Sequence, residues 1–278
     1  MKRLFINNNI LKIIALIFMT ISHIGVFLET SNYDVSFVLR AIGSISFPLI
    51  LFLIIEGCEH TKNFNKYILR LSIFSLIIFL GILISSFLQN TYPIYQFGNI
   101  FIDLLMYVLI YFLIFKFKKE SKYIFLLLIA TFYLLTFLVK IDSITLDITA
   151  YKIIGGLFPQ YSIFGLLIFI TTIGVFYSYT KKCDEKDPNF KLTDEYKFSK
   201  NIFYCIILAI FSTLAYIFTY IGEYLGVNNS IETYMILAAI FIPFYSYKRG
   251  KINSIIKYSF YLYYPLHLLI LYLVFLFI

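Results

Sequence analysis

Apolar residues fill this chain in uninterrupted stretches of about 20 residues that recur every 25 to 30 residues or so, with short polar breaks between them. At about 1.5 Å rise per helical residue, one such stretch matches a hydrocarbon core about 30 Å thick. The runs do not alternate between polar and apolar with period two, so they predict helices and argue against barrel strands. Nine spans follow, at 10–29, 37–59, 66–88, 98–116, 121–140, 160–180, 200–223, 231–247 and 254–277. The segment 142–160, DSITLDITAYKIIGGLFPQ, is too long for a tight turn and too polar to span, and is expected to lie in the interface or to re-enter the membrane. The expected architecture is all-α, a polytopic bundle of nine to ten transmembrane helices forming one domain over 1–278. The loop 181–199, with Asp184, Glu185, Lys186, Asp187 and Pro188, is expected to be a solvated cytosolic connection within it.

Composition sharpens this picture. With 61% hydrophobic and 14% charged residues the chain cannot cover a soluble globule of its length. The basic flank and apolar run at the start resemble a signal peptide, but no small-x-small cleavage site follows, so the run is expected to stay as the first helix. The net charge of +8 points away from nucleic acid, because the cations sit in short loops between spans. With a cytosolic N-terminus, only Arg40, Lys140 and Lys152 of the 23 basic residues fall on the outer side, and the outer loops carry Glu29, Asp34, Asp142, Asp147, Glu223 and Glu232. Cys58, Cys183 and Cys205 show no C-x-x-C spacing, which supports neither a disulfide framework nor a metal site.

Against this apolar background the ionisable residues stand out, since a titratable group in hydrocarbon must face protein, water or a ligand. All three histidines, His23, His60 and His267, lie in or beside apolar runs. Lys12 and His23 share a face of the first helix, about 20° apart around the axis and about 16 Å along it. Lys12 also has the reading of a side chain snorkelling to the interface, and His23 that of a ring bridging two helices. Glu56 and His60, four residues apart, form either a local pair that keeps the imidazole charged or a purely structural one. Lys12, His60, Lys66 and Arg70 together would make a basic mouth on the cytosolic side, suited to phosphate groups and equally to anionic lipid headgroups. Pro265 predicts a kink beside His267, and Asp103 is an acid at the depth where Arg40 needs a partner.

A basic mouth with a histidine deeper on the same helix face fits a long, phosphate-headed donor such as an acyl-coenzyme A. An imidazole with an ordinary pKa of about 6.5 suits removal of a proton from an attacking hydroxyl or amine. No Walker-type loop, G-x-G-x-x-G or G-x-S-x-G is present. The stretches LKIIALIFMTISHIGVF, RAIGSISFPLILFLIIEGCEHTKNFNKYILRL, FGNIFI, QYSIFGLLIF and YSFYLYYPLHLLILYL resemble the TraX family of bacterial membrane proteins, nearly end to end. The E-G-x-x-H-T core of the second stretch is the most specific part, and the Lys12 to His23 spacing is similar to the basic-x10-His pattern of the wider acyltransferase-3 superfamily.

That resemblance implies a multi-pass protein of the bacterial cytoplasmic membrane that uses acetyl-CoA to acetylate a peptide or glycan acceptor on the outer side, without a metal. It implies His23 as the catalytic histidine with Glu56 and His267 beside it, and Lys12, Arg40, His60, Lys66 and Arg70 as donor-binding residues. TraX-like chains commonly carry an acid directly before the first-helix histidine, where this chain has Ser22. Glu56 or Asp103 would have to take its place. A transporter or efflux protein is the rival from another class, since charges at staggered depths also mark translocation paths, and a noncatalytic scaffold with lipid-anchoring cations is the third reading. A reporter phosphatase that works only outside the cytosol should be silent when fused after residue 185 and active when fused after residue 225. The reverse pattern would overturn the assigned orientation.

Overall fold

A computed structural model describes residues 4–29, 31–88, 98–140, 155–225, 231–248, 250 and 254–276. Among them the chain is helical apart from one isolated bridge, Ile6 to Tyr245. The α-helices are α1 (Asn8–Phe27), α2 (Tyr33–Gly43), α3 (Ser46–His60), α4 (Phe64–Leu88), α5 (Ile100–Phe115), α6 (Lys122–Lys140), α7 (Ser162–Lys186), α8 (Asp194–Leu225) and α9 (Ser254–Leu276). Six candidate membrane spans are long and apolar enough to cross a bilayer, and Ile100–Phe115, Ile231–Phe244 and Ser259–Phe275 are shorter apolar helices. The window over α2 and α3 is 72% buried and that over α6 only 17%, so the former is enclosed by protein and the latter presents its side chains outward. By contacts the chain divides into two compact units, Met1–Leu53 with Thr171–Ile278, and Ile54–Ile170.

Three expectations change. The span 37–59 is two helices, α2 and α3, separated by a turn at Ser44 and Ile45, with α2 already beginning at Tyr33. The span 231–247 contains a ten-residue 3-10 helix, Ile231–Ile240, longer than such helices usually run, and a second short one, Ile242–Phe244. Met235 and Ala238, three apart, are its buried residues, as a repeat of three per turn requires. The stretch 181–199 is no loop: α7 continues to Lys186, a 3-10 turn spans Pro188–Leu192, and α8 starts at Asp194. Lys191 of that turn pairs with Asp184 of α7, while Lys197 and Asp194 pair within the first turn of α8. Of 142–160, residues 142–154 lie outside the described residues.

In the first unit, the Asn7 side chain caps α1 by accepting from the N–H groups of Asn9 and Ile10, both at 3.0 Å. The preceding residues are strapped to the segment after the 3-10 helices. Phe5 and Ile6 donate to the Phe244 carbonyl, Ser246 donates back to Ile6, and Asn8 donates to Lys248. Asn201 of α8 donates to the Tyr245 carbonyl at 2.9 Å, which fixes the same segment from the other side. Beyond the cap, α1 buries Leu11, Ala15, Met19, His23 and Phe27, a stripe with a step of four. Its crossing with α2 is a backbone contact: a Cβ added at Gly43 would lie 2.3 to 2.6 Å from the Cβ, Cα and N of Ser22. One at Gly25 would lie 2.9 Å from the Ser36 carbonyl oxygen. Small residues thus allow the close approach that packs helices where hydrophobicity gives no drive.

The second unit is organised by two polar residues at the start of α5. Asn99 caps the helix through Phe101 N at 3.1 Å, while its amide donates to the carbonyls of Ser75 and Gly156. Gly98, at φ +70°, passes so close to Gln160 that a Cβ would meet its Cα at 2.9 Å. Asp103 is fully buried. Its Oδ1 accepts from the Tyr107 and Tyr133 hydroxyls at 3.3 and 3.2 Å, and its Oδ2 from the backbone N–H groups of Gln160 and Tyr161 at 2.6 and 3.2 Å. Four donors around one carboxyl group bind the segment 158–161 to α5 and α6.

Two substitutions test these joints. Gly43→Ala should destabilise the detergent-solubilised protein by about 1–3 kcal/mol or more, read as a lower midpoint of thermal unfolding, because the obstructing atoms are backbone. Asp103→Asn keeps the shape but turns an amide toward donors, and should cost about 1–3 kcal/mol in the same measurement. An unchanged midpoint in either variant would contradict the corresponding joint.

Candidate functional site

The α1 stripe brings His23 against α9. His23 Nδ1 and His267 Nε2 lie 2.8 Å apart, and both rings are buried, at 6% exposure each. The two helices meet in parallel register: Lys12 lies 5.3 Å from the Phe260 ring, the Thr20 and Tyr263 hydroxyls are 2.7 Å apart, and Phe27 stacks on Phe275 at 5.0 Å. Thr20 donates to the Leu16 carbonyl, so its oxygen accepts from Tyr263. Tyr263 stacks on His267 at 5.1 Å and 14°, while Tyr264 turns its edge to His23 and to His267 at 5.8 and 5.5 Å. The imidazole pair is thus walled by two tyrosines, with an aromatic stack one turn above and a lysine three turns below.

Sequence spacing also expects a kink at Pro265, and α9 runs through Pro265 as a helix. The His267 Nδ1 lies 2.9 Å from the Tyr263 carbonyl oxygen, one turn back. Nothing in the order of residues marks Tyr263 rather than Tyr261 or Tyr264 as the tyrosine that stacks on His267 and meets Thr20. Only the register of α9 on α1 does so.

The other expected site residues are distributed over both units. Lys12 and Arg40 belong to the first, Glu56, His60, Lys66 and Arg70 to the second. Arg40 pairs with Glu29 at 2.8 Å, in a partly exposed ion pair, and the Asp103 carboxylate accepts from tyrosine hydroxyls and backbone N–H groups. Glu56 is buried and His60 exposed, and the hydrogen bond between these two residues runs from His60 Nδ1 to the Glu56 backbone carbonyl at 2.9 Å. An imidazole four residues on thus reaches the carbonyl of its own turn. Between them, Gly57 leaves room for the Tyr67 hydroxyl, which a Cβ would meet at 3.0 Å. Arg70 folds back so that its Nε donates to the Lys66 carbonyl at 3.1 Å, and its guanidinium lies 5.7 Å from the Tyr67 ring.

One cation was placed wrongly by reading loops from charge. Lys200 is 3% exposed, with its ammonium 4.4 Å from the centre of the Phe176 ring and 5.7 and 5.8 Å from those of Tyr247 and Tyr196. The signal was available in the spacing of Tyr196, Lys200 and Tyr204, four apart on one helix face. Among the described residues no cluster of three or more histidine, cysteine, aspartate or glutamate side chains is arranged to hold a metal ion.

The family model described as TraX protein matches residues 7–173. No curated protein and no solved structure is significantly similar. The match covers α1 with Lys12 and His23, the E-G-x-x-H-T stretch and α5 with Asp103, and stops short of His267, so the resemblance of the last helix to that family rests on its own residues. With well over half of its length matched, the chain belongs to the TraX family.

Proposed function

We propose that this TraX family chain is a membrane-bound acetyltransferase, taking acetyl groups from acetyl-CoA on the cytosolic side and passing them to an amine or hydroxyl of a peptide or envelope glycan on the other. The observation that supports this reading best is the buried imidazole pair, His23 with His267, in a seam between helices. Imidazoles titrate close to neutral pH when unperturbed, which suits proton transfer. His23 is the general base. It takes the proton of the acceptor O–H or N–H as the acceptor lone pair attacks the thioester carbonyl, the C–S bond breaks, and the proton passes to the departing thiolate. Lys12, on the same helix as His23 and near the cytosolic boundary of a membrane crossed with the N-terminus inside, is the cation for the donor's phosphates in the first unit. Lys66, Arg70 and the exposed His60 have the same chemistry at the inner end of the second unit.

In this reading the nine apolar helices span the cytoplasmic membrane, with α1 running outward. Inverted vesicles carrying the protein should transfer label from acetyl-CoA to envelope material, with the acceptor identified by its acetyl mass shift. His23→Ala should lower that transfer by about 10²-fold to 10⁴-fold. Undiminished transfer by His23→Ala would overturn the mechanism, and solute flux without acetyl transfer would favour a transporter.

A further inference from the structure

We infer that His267 and the backbone carbonyl of Tyr263 form a proton relay that fixes the tautomer of His23 and leaves its Nε2 as the basic atom. This rests on the acetyltransferase reading, and it names the atoms that the reading leaves open. A carbonyl oxygen only accepts, so the 2.9 Å contact between it and His267 Nδ1 requires the proton on that nitrogen. In a neutral imidazole the other nitrogen is then the acceptor. His267 Nε2, 2.8 Å from His23 Nδ1, therefore receives a hydrogen bond, and His23 Nδ1 must donate it. The proton of neutral His23 is thereby committed to Nδ1, and its Nε2, which makes no hydrogen bond among the described residues, carries the lone pair.

The surrounding residues hold this order in place. His267 cannot rotate without leaving the Tyr263 carbonyl, and the ring of Tyr263 stacks on it. Tyr263 is itself tied through its hydroxyl to Thr20, less than one turn below His23 on α1. Each helix thus positions the ring of the other. The arrangement supplies what an acidic residue before His23 would supply, and in this chain that position is Ser22, whose Cβ lies at the α1–α2 crossing. His267 differs from a carboxylate in one respect: it is neutral at rest, so the apolar seam holds no charge until the reaction produces one.

During transfer the acceptor proton moves to His23 Nε2 as the new bond to the acetyl carbon forms. The Nδ1 proton of His23 can then shift to His267 Nε2. The positive charge thereby moves onto His267, whose Nδ1–H remains on the Tyr263 carbonyl. The shift reverses when His23 Nε2 gives its proton to the thiolate released from the C–S bond. No atom is left over, and both rings return to their starting tautomers. His267 is a positioning residue in this scheme, since it acts on the substrates only through His23.

The three histidines of the chain make the test direct. In protein labelled with ¹⁵N-histidine and assigned with His60→Gln and His267→Gln variants, ring-nitrogen spectra above the titration of the rings should show His23 and His267 both protonated at Nδ1 and bare at Nε2. A proton on His23 Nε2 would overturn the relay whatever the activity. Glutamine at 267 offers His23 Nδ1–H an acceptor oxygen, whereas alanine offers none. His267→Gln should keep the His23 tautomer and recover part of the transfer rate that His267→Ala loses, with loss in the alanine variant of at least tenfold. If His267→Ala transfers label as fast as the parent while His23→Ala is dead, the relay fails and the acetyltransferase reading stands. If no variant and no parent transfers label, the acetyltransferase reading fails, and the spectra alone decide the tautomers.

Discussion

Taking an imidazole out of water and into a helix seam is costly unless its N–H finds an acceptor, and this requirement governs the centre of the first unit. His23 meets it with a second imidazole, and the second meets it with a backbone carbonyl. A carboxylate partner would have brought a charge with its own desolvation cost. Two neutral rings avoid that cost, and in exchange demand a register accurate to a fraction of a helical turn, since a slip of one residue would rotate His267 by about 100° away from α1. The tyrosine hydroxyl contact with Thr20 and the stack of Phe27 on Phe275 are what such a register looks like along the rest of the seam.

The same demand explains why small residues lie behind α1. Gly43 and Ser22 bring the backbones of α1 and α2 together on one side while His23 faces α9 on another, so α1 is gripped from two directions. The second unit solves its polar problem differently. Asp103 draws its four donors from two phenols and two peptide groups, converting a buried charge into the clamp for an irregular segment that hydrocarbon would not tolerate unsupported. Irregular backbone and buried acid each make the other acceptable.

Much of the helical layout was legible because hydrophobic length is a direct imprint of bilayer thickness, and His23 and His267 were legible as rare ionisable groups in apolar runs. Their meeting was not, since depth along two helices can be estimated from spacing but rotation about each axis is fixed by packing. The Ser44–Ile45 turn escaped because no proline or glycine pair marks it more strongly than the apolar residues mark continuity. The 3-10 helix at 231–240 escaped because its run of mostly apolar residues shows no clear period. Charge misled at Lys200, whose aromatic surroundings come from α7 and from the segment after the 3-10 helices; at 181–199 most of the charged side chains are exposed as they read, but the backbone that carries them is largely helical. The family match stops before α9, so the rotation that sets His267 against His23 was read from the packing of the two helices.

The two imidazoles are separated by 244 positions in the chain. At synthesis rates of about 5–20 residues per second, His23 enters the membrane roughly 10 to 50 s before the helix that carries its partner exists. The N-terminal strap to residues 244–248 closes over a similar separation, so neither the ring nor the start of its helix is locked until α9 is about to follow. Through that interval α1 must remain inserted without its polar contact, and the nascent chain holds an unoriented histidine. Order of synthesis thus sets the order of ring contacts: until α9 is made, His23 has no second imidazole against it.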